Sequence, residues 1–133
     1  MASIPESFHD LFEKQTFAHF ATMTPDGFPH VTPVWVGYDP DADRVLINTA
    51  RGRRKERNVA ENPKVGVSMV DPEEPYRYCS VTGEVTAVTE DGAEDHIDEL
   101  ARRYLDVDEY PGYDEDPGDR VILEIRPDRV YTS

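Results

Sequence analysis

One short segment concentrates positive charge in a chain that is otherwise strongly acidic. Residues 51–57 hold five of the 14 basic residues and carry a net charge of +4, whereas the other 126 residues sum to −18. The segment lies where a predicted strand gives way to a predicted helix, and Gly52 permits close approach of a ligand to the backbone. A helix N-terminus adds free N–H groups and partial positive charge. This pattern predicts a phosphate or carboxylate site, and a solvated arginine face that neutralises acidic neighbours is the alternative.

A second unusual segment covers residues 26–36. Pro33 in the middle of a strand is costly unless the strand lies at a sheet edge or its backbone faces something other than a neighbouring strand. Trp35, the only tryptophan of the chain, follows two residues later on the same face. An exposed backbone beside an aromatic ring suits a planar ligand. Core packing of Trp35 with a bulge at Pro33 is the alternative, and the residues alone leave both open.

Common catalytic and metal-binding patterns find no support in the sequence. The four histidines show no metal-ligand spacing with one another or with Cys79. The sequence also contains no nucleophile elbow, Walker loop or dinucleotide-binding glycine motif. Carboxylates are too abundant for one pair to be singled out as acid and base, so no residue is assigned a catalytic role. Because the chain offers a polyanion site without a strong acid, base or nucleophile, we expect a bound cofactor to supply the reactivity.

The overall charge is strongly negative. The 133 residues include 28 acidic and 14 basic side chains, for a net charge of −14, and 11 of the basic side chains are arginine. Self-repulsion of this size destabilises a compact chain in dilute salt but is screened in molar salt. We interpret the composition as adaptation to a salt-saturated, haloarchaeal cytosol, with an acidic mesophilic protein as the alternative. General nucleic-acid binding is disfavoured because a phosphate backbone attracts basic surfaces.

The sequence shows no sign of export or of membrane insertion. No apolar run approaches the roughly 18 residues that a membrane span needs, and the first residues do not form a signal peptide. The single cysteine, Cys79, cannot form an internal disulfide and is expected to pack within a strand. We therefore expect a cytoplasmic protein, and the length of 133 residues fits one domain over residues 1–133.

Hydrophobic periodicity predicts a mainly β architecture. The predicted helices cover residues 4–14, 53–61 and 91–104. The predicted strands cover residues 17–23, 28–38, 44–49, 65–69, 76–88, 121–125 and 129–131. A capping box at Ser3 and Glu6 marks the start of the first helix, and Gly83 is a candidate bulge in the long fifth strand. The first three strands form an antiparallel meander, and the whole pattern predicts a β-barrel of six or seven strands with short helices at its ends.

Several short motifs occur in an order that is typical of one family. They lie at residues 17–22, 26–29, 33–35, 46–49 and 62–65, and the basic run with Lys55 and Asn58 stands before the last of them. Together with the opening helix, they resemble the FMN-binding split-barrel superfamily of pyridoxamine 5′-phosphate oxidase-like proteins. The resemblance is closest to the small branch that uses the deazaflavin coenzyme F420, and it covers nearly the whole chain.

The resemblance implies a six-stranded antiparallel split β-barrel with Greek-key connections, a homodimer, and two cofactor sites at the subunit interface. In that family, the strand that matches Pro33, Val34 and Trp35 runs beside the cofactor ring. The segment that matches residues 49–58 holds the phosphate, with Lys55 the clearest counterpart. The residues expected to anchor the cofactor tail are Thr49, Arg51, Arg53, Lys55 and Asn58.

One departure from the family narrows the expected function. Pyridoxamine 5′-phosphate oxidases are longer and end in a tryptophan-containing segment with an Arg-x-His motif, and residues 126–133 contain neither feature.

The first hypothesis is therefore an oxidoreductase that moves a hydride or electrons between F420 or FMN and a small organic substrate. Tyr78 or Tyr131 of either subunit would close the ring pocket. Five basic groups exceed what one phosphate requires, which favours F420. A cofactor carrier without turnover and a structural dimer with a vestigial site are the alternatives.

Salt is predicted to be required for folding or assembly. With a net charge of −14, we expect cooperative unfolding or loss of the dimer as KCl falls from molar to about 0.1 M, where the screening length rises to about 10 Å. Thermal melting followed by circular dichroism across a KCl series measures this dependence. A melting temperature that stays constant across the series would contradict the halophilic interpretation.

Overall fold

Seven strands pair into one curled antiparallel sheet in a computed structural model that describes residues 2–116 and 118–133. The strands are β1 (Ala18–Met23), β2 (Pro29–Val34), β3 (Gly37–Asp39), β4 (Arg44–Ala50), β5 (Lys64–Val70), β6 (Tyr78–Thr89) and β7 (Arg120–Thr132). Their order across the sheet is β2-β1-β5-β6-β7-β4-β3, so β1 pairs with β5 and β4 pairs with β7 across long connections. The predicted antiparallel split β-barrel is confirmed, with seven strands in place of six.

Alternating burial along the central strands explains why these segments form a sheet. Val45 and Ile47 of β4 are buried, as are Val65, Val67 and Met69 of β5, and partly or fully exposed residues stand between them. These side chains belong to one hydrophobic core. Full burial of an aliphatic side chain contributes about 1.5–3 kcal/mol, and a slip of one residue would turn the whole set towards solvent. The pattern therefore fixes the register as well as the strands.

The predicted strand over residues 28–38 is broken, which corrects the sequence-based prediction. Its first part, β2, pairs with β1, and its second part, β3, pairs with β4. Between them, the N–H of Val36 donates to the hydroxyl of Tyr104 at 3.4 Å, and Arg103 donates to the carbonyl of Val36 at 3.0 Å. These contacts satisfy polar groups that a sheet would otherwise pair. The bend joins the two edge strands and curls the sheet.

Two further predictions about elements are wrong. The first helix is a short 3₁₀ helix (Glu6–Phe12) that follows Pro5, and no side chain of the described residues caps it. The capping box proposed at Ser3 and Glu6 is therefore not formed. The two separate C-terminal strands form one strand, β7, because the residues between them pair with β6 across a register shift at Gly83. A pairing irregularity occurs at Gly83 as predicted, but its extra residue is Asp128 of β7, and the extra residue of β6 itself is Thr86.

Two α-helices flank the sheet and provide residues near its broken strand. Helix α1 (Arg54–Glu61) follows β4, and α2 (Ala93–Leu105) connects β6 to the segment before β7. Ile97 and Leu100 lie on the buried stripe of α2, as the spacing of apolar residues predicts. None of the helices in the described part of the chain is long and apolar enough to span a membrane.

Gly83 is predicted to tolerate no side chain. A Cβ atom at this position would collide with the carbonyl group of Arg126, so Gly83→Ala forces the two strands of the bulge apart. We expect this variant to lower the free energy of unfolding, measured by urea titration in molar KCl, by about 1–3 kcal/mol. Gly66→Ala is the matched control in β5, since the nearest atoms to its Cβ lie at 3.9 Å. Equal losses of stability in the two variants would contradict the assigned bulge.

Candidate functional site

A cleft of about 220 Å³ opens to solvent where the break between β2 and β3 meets α2 and the start of β7. Apolar and aromatic side chains form one part of its wall: Phe17, Pro33, Val34, Trp35, Ile97, Leu100 and Tyr110. Four polar side chains form the rest: Asn48, Arg53, Lys55 and Arg120. The cleft therefore combines a surface suited to a flat apolar ring with a site suited to negative charge.

Two tyrosines fix the ring of Trp35. Tyr104 of α2 stacks on it with ring centroids 5.2 Å apart and an interplanar angle of 8°, and Tyr110 meets it edge-on at 6.1 Å. The hydroxyl of Tyr104 donates to the backbone carbonyl of Thr16 at 2.6 Å, and burial raises the pKa of this tyrosine. Aromatic pairs of this kind contribute about 0.5–1.5 kcal/mol beyond the area they bury. Trp35 is therefore a rigid part of the cleft wall.

The three cations of the cleft wall lie near one carboxylate, Asp116, which lines a neighbouring hollow and not the cleft itself. Arg53 donates two hydrogen bonds to Asp116, at 3.0 and 2.6 Å, which raise the pKa of Arg53 and lower that of Asp116. Nη1 of Arg120 lies 3.5 Å from an oxygen of the same carboxylate. Burial lowers the pKa of Lys55, and the neighbouring charges of Arg53 and Arg120 lower it further. This group of four charges, the cation cluster, has an excess of two positive charges when all are ionised.

Sequence reasoning missed Arg120, the first residue of β7. It is a buried residue with 6% of its surface exposed, and its guanidinium lies 4.9 Å from the centre of the Tyr110 ring. The sequence signal that points to it is a lone arginine at the start of a strand, directly after an acidic loop. That signal is too general to single out a site residue without the structure.

Asn48 of β4 links Arg120 to α2. Its amide oxygen accepts a hydrogen bond from Nε of Arg120 at 2.9 Å. Its amide nitrogen donates to the carbonyl of Ala93 at 2.9 Å and lies 3.0 Å from Nδ1 of His96. Burial lowers the pKa of His96 to about 4, so the ring is neutral at neutral pH and its Nδ1 accepts this hydrogen bond. Asn48 is thereby held in one orientation.

Five of the eight site residues predicted from the sequence line the cleft: Pro33, Val34, Trp35, Arg53 and Lys55. The other three lie elsewhere. Arg51 forms a salt bridge with Glu90 at 2.9 Å. Thr49 is fully buried, and its hydroxyl has no hydrogen-bond partner among the described residues. Asn58 is buried and donates to the hydroxyl of Thr22 at 3.0 Å, which connects α1 to β1.

Among the described residues no side chain caps the start of α1, in line with the free N-terminus that the sequence suggested, but Gly52 just before the helix is not free. The N–H of Gly52 donates to the carboxylate of Glu56 at 2.8 Å, so a side chain of the helix itself already satisfies this donor. Arg54 and Arg57 of α1 are exposed. The basic run therefore contributes two side chains to the cleft rather than five.

The fold and the cleft define a split-barrel protein with an aromatic and cationic pocket. Residues 4–133 match the family model for pyridoxamine 5′-phosphate oxidase, and the chain belongs to this family. Among solved structures, it is similar to a protein described as an F420 reductase. The two share 34% sequence identity and superpose with a TM-score of 0.82, over 96% of this chain and 98% of that one.

More distant solved structures share the fold. A conserved hypothetical protein from Mycobacterium tuberculosis is 21% identical, with a TM-score of 0.75 over 99% of this chain and 85% of that one. General Stress Protein 26 from Bacillus anthracis is also 21% identical, with a TM-score of 0.70 over 96% of this chain and 91% of that one. No curated protein matches the sequence.

Lys55→Ala is predicted to weaken the binding of FMN or F420 by about 1.5–3 kcal/mol, the range for a hydrogen bond to a charged group. Fluorescence titration of the purified protein measures the affinity. Arg44→Ala is the control, because Arg44 donates to the carbonyls of Ala42 and Asp43 and does not line the cleft. If Lys55→Ala binds as tightly as the parent protein, Lys55 is not an anion-binding residue.

Proposed function

We propose that this protein binds a flavin-type cofactor, F420 or FMN, and is an oxidoreductase that transfers a hydride or electrons to or from a small organic substrate. The observation that carries the proposal is the aromatic wall beside the cation cluster in one cleft of a chain with a net charge of −14. Family membership and the 34% identity to a protein described as an F420 reductase support it.

The polar atoms of the cleft fit a cofactor that carries a phosphate. Nη1 of Arg120 is buried without a hydrogen-bond partner among the described residues. Within residues 2–116 and 118–133, Lys55 makes no salt bridge, and burial and neighbouring cations lower its pKa. Buried charged donors without acceptors are costly. Phosphate oxygens would satisfy them through charge-assisted hydrogen bonds.

The bound cofactor would supply the redox chemistry itself, and the residues of this chain would bind and orient it. The cation cluster would hold the phosphate. Pro33 and Val34 lie at the end of an edge strand and would line the ring together with Trp35, which Tyr104 holds in place. The apolar side chains of α2 in the cleft would exclude water from that part of the pocket.

The one thiol of the chain takes no part in the proposed chemistry. Cys79 is fully buried in β6, as expected for a packing residue. Burial raises the pKa of its thiol to about 11. The thiol is therefore neutral near pH 7 and is a poor nucleophile.

We further propose a homodimer with the cofactor at the subunit interface. The cleft of about 220 Å³ is smaller than the roughly 300–1,000 Å³ of typical ligand pockets. Phe17 at its edge is 54% exposed, and Val31 and Phe28 beside β1 are 56% and 70% exposed. A two-fold interface would cover such side chains and enlarge the pocket. Tyr78 and Tyr131 are exposed and do not line the cleft of their own chain, so the partner subunit would have to supply them.

The choice between F420 and FMN rests on a different argument from the one that the sequence offered. The presence of five basic groups in residues 51–57 does not favour F420, because only two of these side chains line the cleft. The similarity to a protein described as an F420 reductase supports F420 instead.

Titration with both cofactors and a turnover assay test this proposal. We expect one F420 or FMN to bind per chain in molar KCl, and the bound cofactor to be oxidised or reduced repeatedly when a suitable small substrate is present. If neither F420 nor FMN binds, the proposal is overturned. Binding without turnover of any substrate in a broad panel would favour the carrier alternative.

A dilution series with light scattering tests the shared site in the same experiment. We expect a dimer of about 30 kDa, twice the 15.1 kDa mass of the chain, with an interface above roughly 2,000 Å². Cofactor affinity should fall as the dimer dissociates. A monomer that binds the cofactor at full strength would contradict the shared site.

A further inference from the structure

Arg120 is a buried cation whose hydrogen bonding is incomplete. Its side chain is 5% exposed, and Nε is satisfied by Asn48 at 2.9 Å. Nη1 is buried and has no hydrogen-bond partner within residues 2–116 and 118–133. Removing a guanidinium from water is costly unless its donors are paired. The structure therefore presents a buried, charged donor at the cleft that lacks an acceptor.

Asp116 only partly compensates this charge. Its oxygen lies 3.5 Å from Nη1 of Arg120, which is longer than the roughly 2.7–3.2 Å of a good hydrogen bond. Both of its oxygens accept hydrogen bonds from Arg53 instead. The pKa of Asp116 is lowered first by Arg53, and the charges of Arg120 and Lys55 lower it further. One carboxylate thus serves as the common anion of three cations.

Acidic residues of a second hollow beside Arg120 do not accept a hydrogen bond from its Nη1. Arg120 also borders a hollow lined by acidic side chains, among them Glu90, Glu94 and Asp95. In the part of the chain that the structure describes, no salt bridge joins Arg120 to any of these three. Nη1 therefore has no acceptor among these acidic residues, and Arg120 also lines the cleft.

We propose that Arg120 is a ligand-binding residue of this cleft and that Asp116 sets the affinity by competing with the ligand's phosphate for the cation cluster. That the ligand is a cofactor rests on the proposed function. That the ligand is an anion is inferred from the cation cluster alone. An arginine fork suits phosphate geometry, and a phosphate monoester carries close to two negative charges near pH 7. The charge of a monoester such as FMN therefore matches the excess of the cluster, whereas the phosphodiester of F420 carries one negative charge and balances half of it.

Two sets of contacts hold these residues in position. Asn48 accepts a hydrogen bond from Nε of Arg120 at 2.9 Å and so holds the guanidinium, whose Nη1 has no hydrogen-bond partner among the described residues. The segment that carries Asp116 is fastened to α2, because the N–H of Tyr110 and the hydroxyl of Tyr113 both donate to one oxygen of Asp98 at 2.8 Å. The competing carboxylate is therefore kept beside the cations.

Competition predicts effects of opposite sign for two neighbouring residues. Arg120→Gln is expected to weaken phosphate and cofactor binding about 10- to 100-fold, because a hydrogen bond to a charged group is lost. Asp116→Asn is expected to tighten binding about threefold or more, because it removes the competing charge. If Asp116 only held the cations in place, the same variant would weaken binding instead.

Isothermal titration in molar KCl at constant ionic strength distinguishes these outcomes. The parent protein, both variants and the control Arg44→Gln are each titrated with FMN, F420 and inorganic phosphate. A protein that binds inorganic phosphate in the expected order, but neither cofactor, would support this inference and overturn the proposed function. Failure of all three probes would overturn both.

Unchanged affinity in Arg120→Gln, or weaker binding in Asp116→Asn, would contradict the inference. Circular dichroism shows whether each variant folds. If Arg120→Gln does not fold, Asp116→Asn still tests the inference, since the side chain of Asp116 is 15% exposed. Tighter binding shows that Asp116 competes with the ligand, and weaker binding shows that it holds the cations in place.

Discussion

The structure depends on one short stretch of backbone that leaves the sheet at residues 35 and 36. Helix α2 supplies the hydrogen bonds that this stretch would otherwise make in a sheet, through Arg103 and Tyr104. The same tyrosine stacks on Trp35, so the contact that bends the strand also fixes the aromatic wall of the cleft. Because β2 and β3 lie at opposite edges of the sheet, the bend also curls the barrel. Fold and candidate site therefore share one constraint.

The second constraint is electrostatic. A chain with a net charge of −14 places Arg53, Lys55 and Arg120 in the wall of one partly desolvated cleft, near a single carboxylate, Asp116. Desolvation and mutual repulsion lower the pKa of Lys55 and of Arg120, so the cluster is costly as it stands. An additional anion would relieve this cost, which is the physical reason to expect a phosphate-bearing ligand. Molar salt screens exposed charges much more than partly buried ones, so such a site would remain effective in salt that neutralises the acidic surface.

Local patterns in the sequence predicted most strands, the helix that became α2, and a pairing irregularity at Gly83. They did not predict the break at Val36 or the role of Arg120, because the partners of these residues lie 67–68 and 72 positions away. The basic run was predicted to form one site, but its members separate in space. Successive residues of a helix point in different directions, and Arg51 is drawn to Glu90 instead. Charge composition reveals such a site, and tertiary contacts decide which residues form it.

The central claim is that the cation cluster recognises the phosphate of a flavin-type cofactor. FMN and riboflavin share the ring and the ribityl chain and differ by this phosphate, so their dissociation constants in molar KCl test the claim directly. F420 and its phosphate-free chromophore form a second pair, which differs by the phosphodiester together with the glutamate tail attached to it. The account predicts that the phosphate-free member of a pair binds at least about tenfold more weakly, a difference of about 1.4 kcal/mol. Equal affinities within both pairs would contradict it.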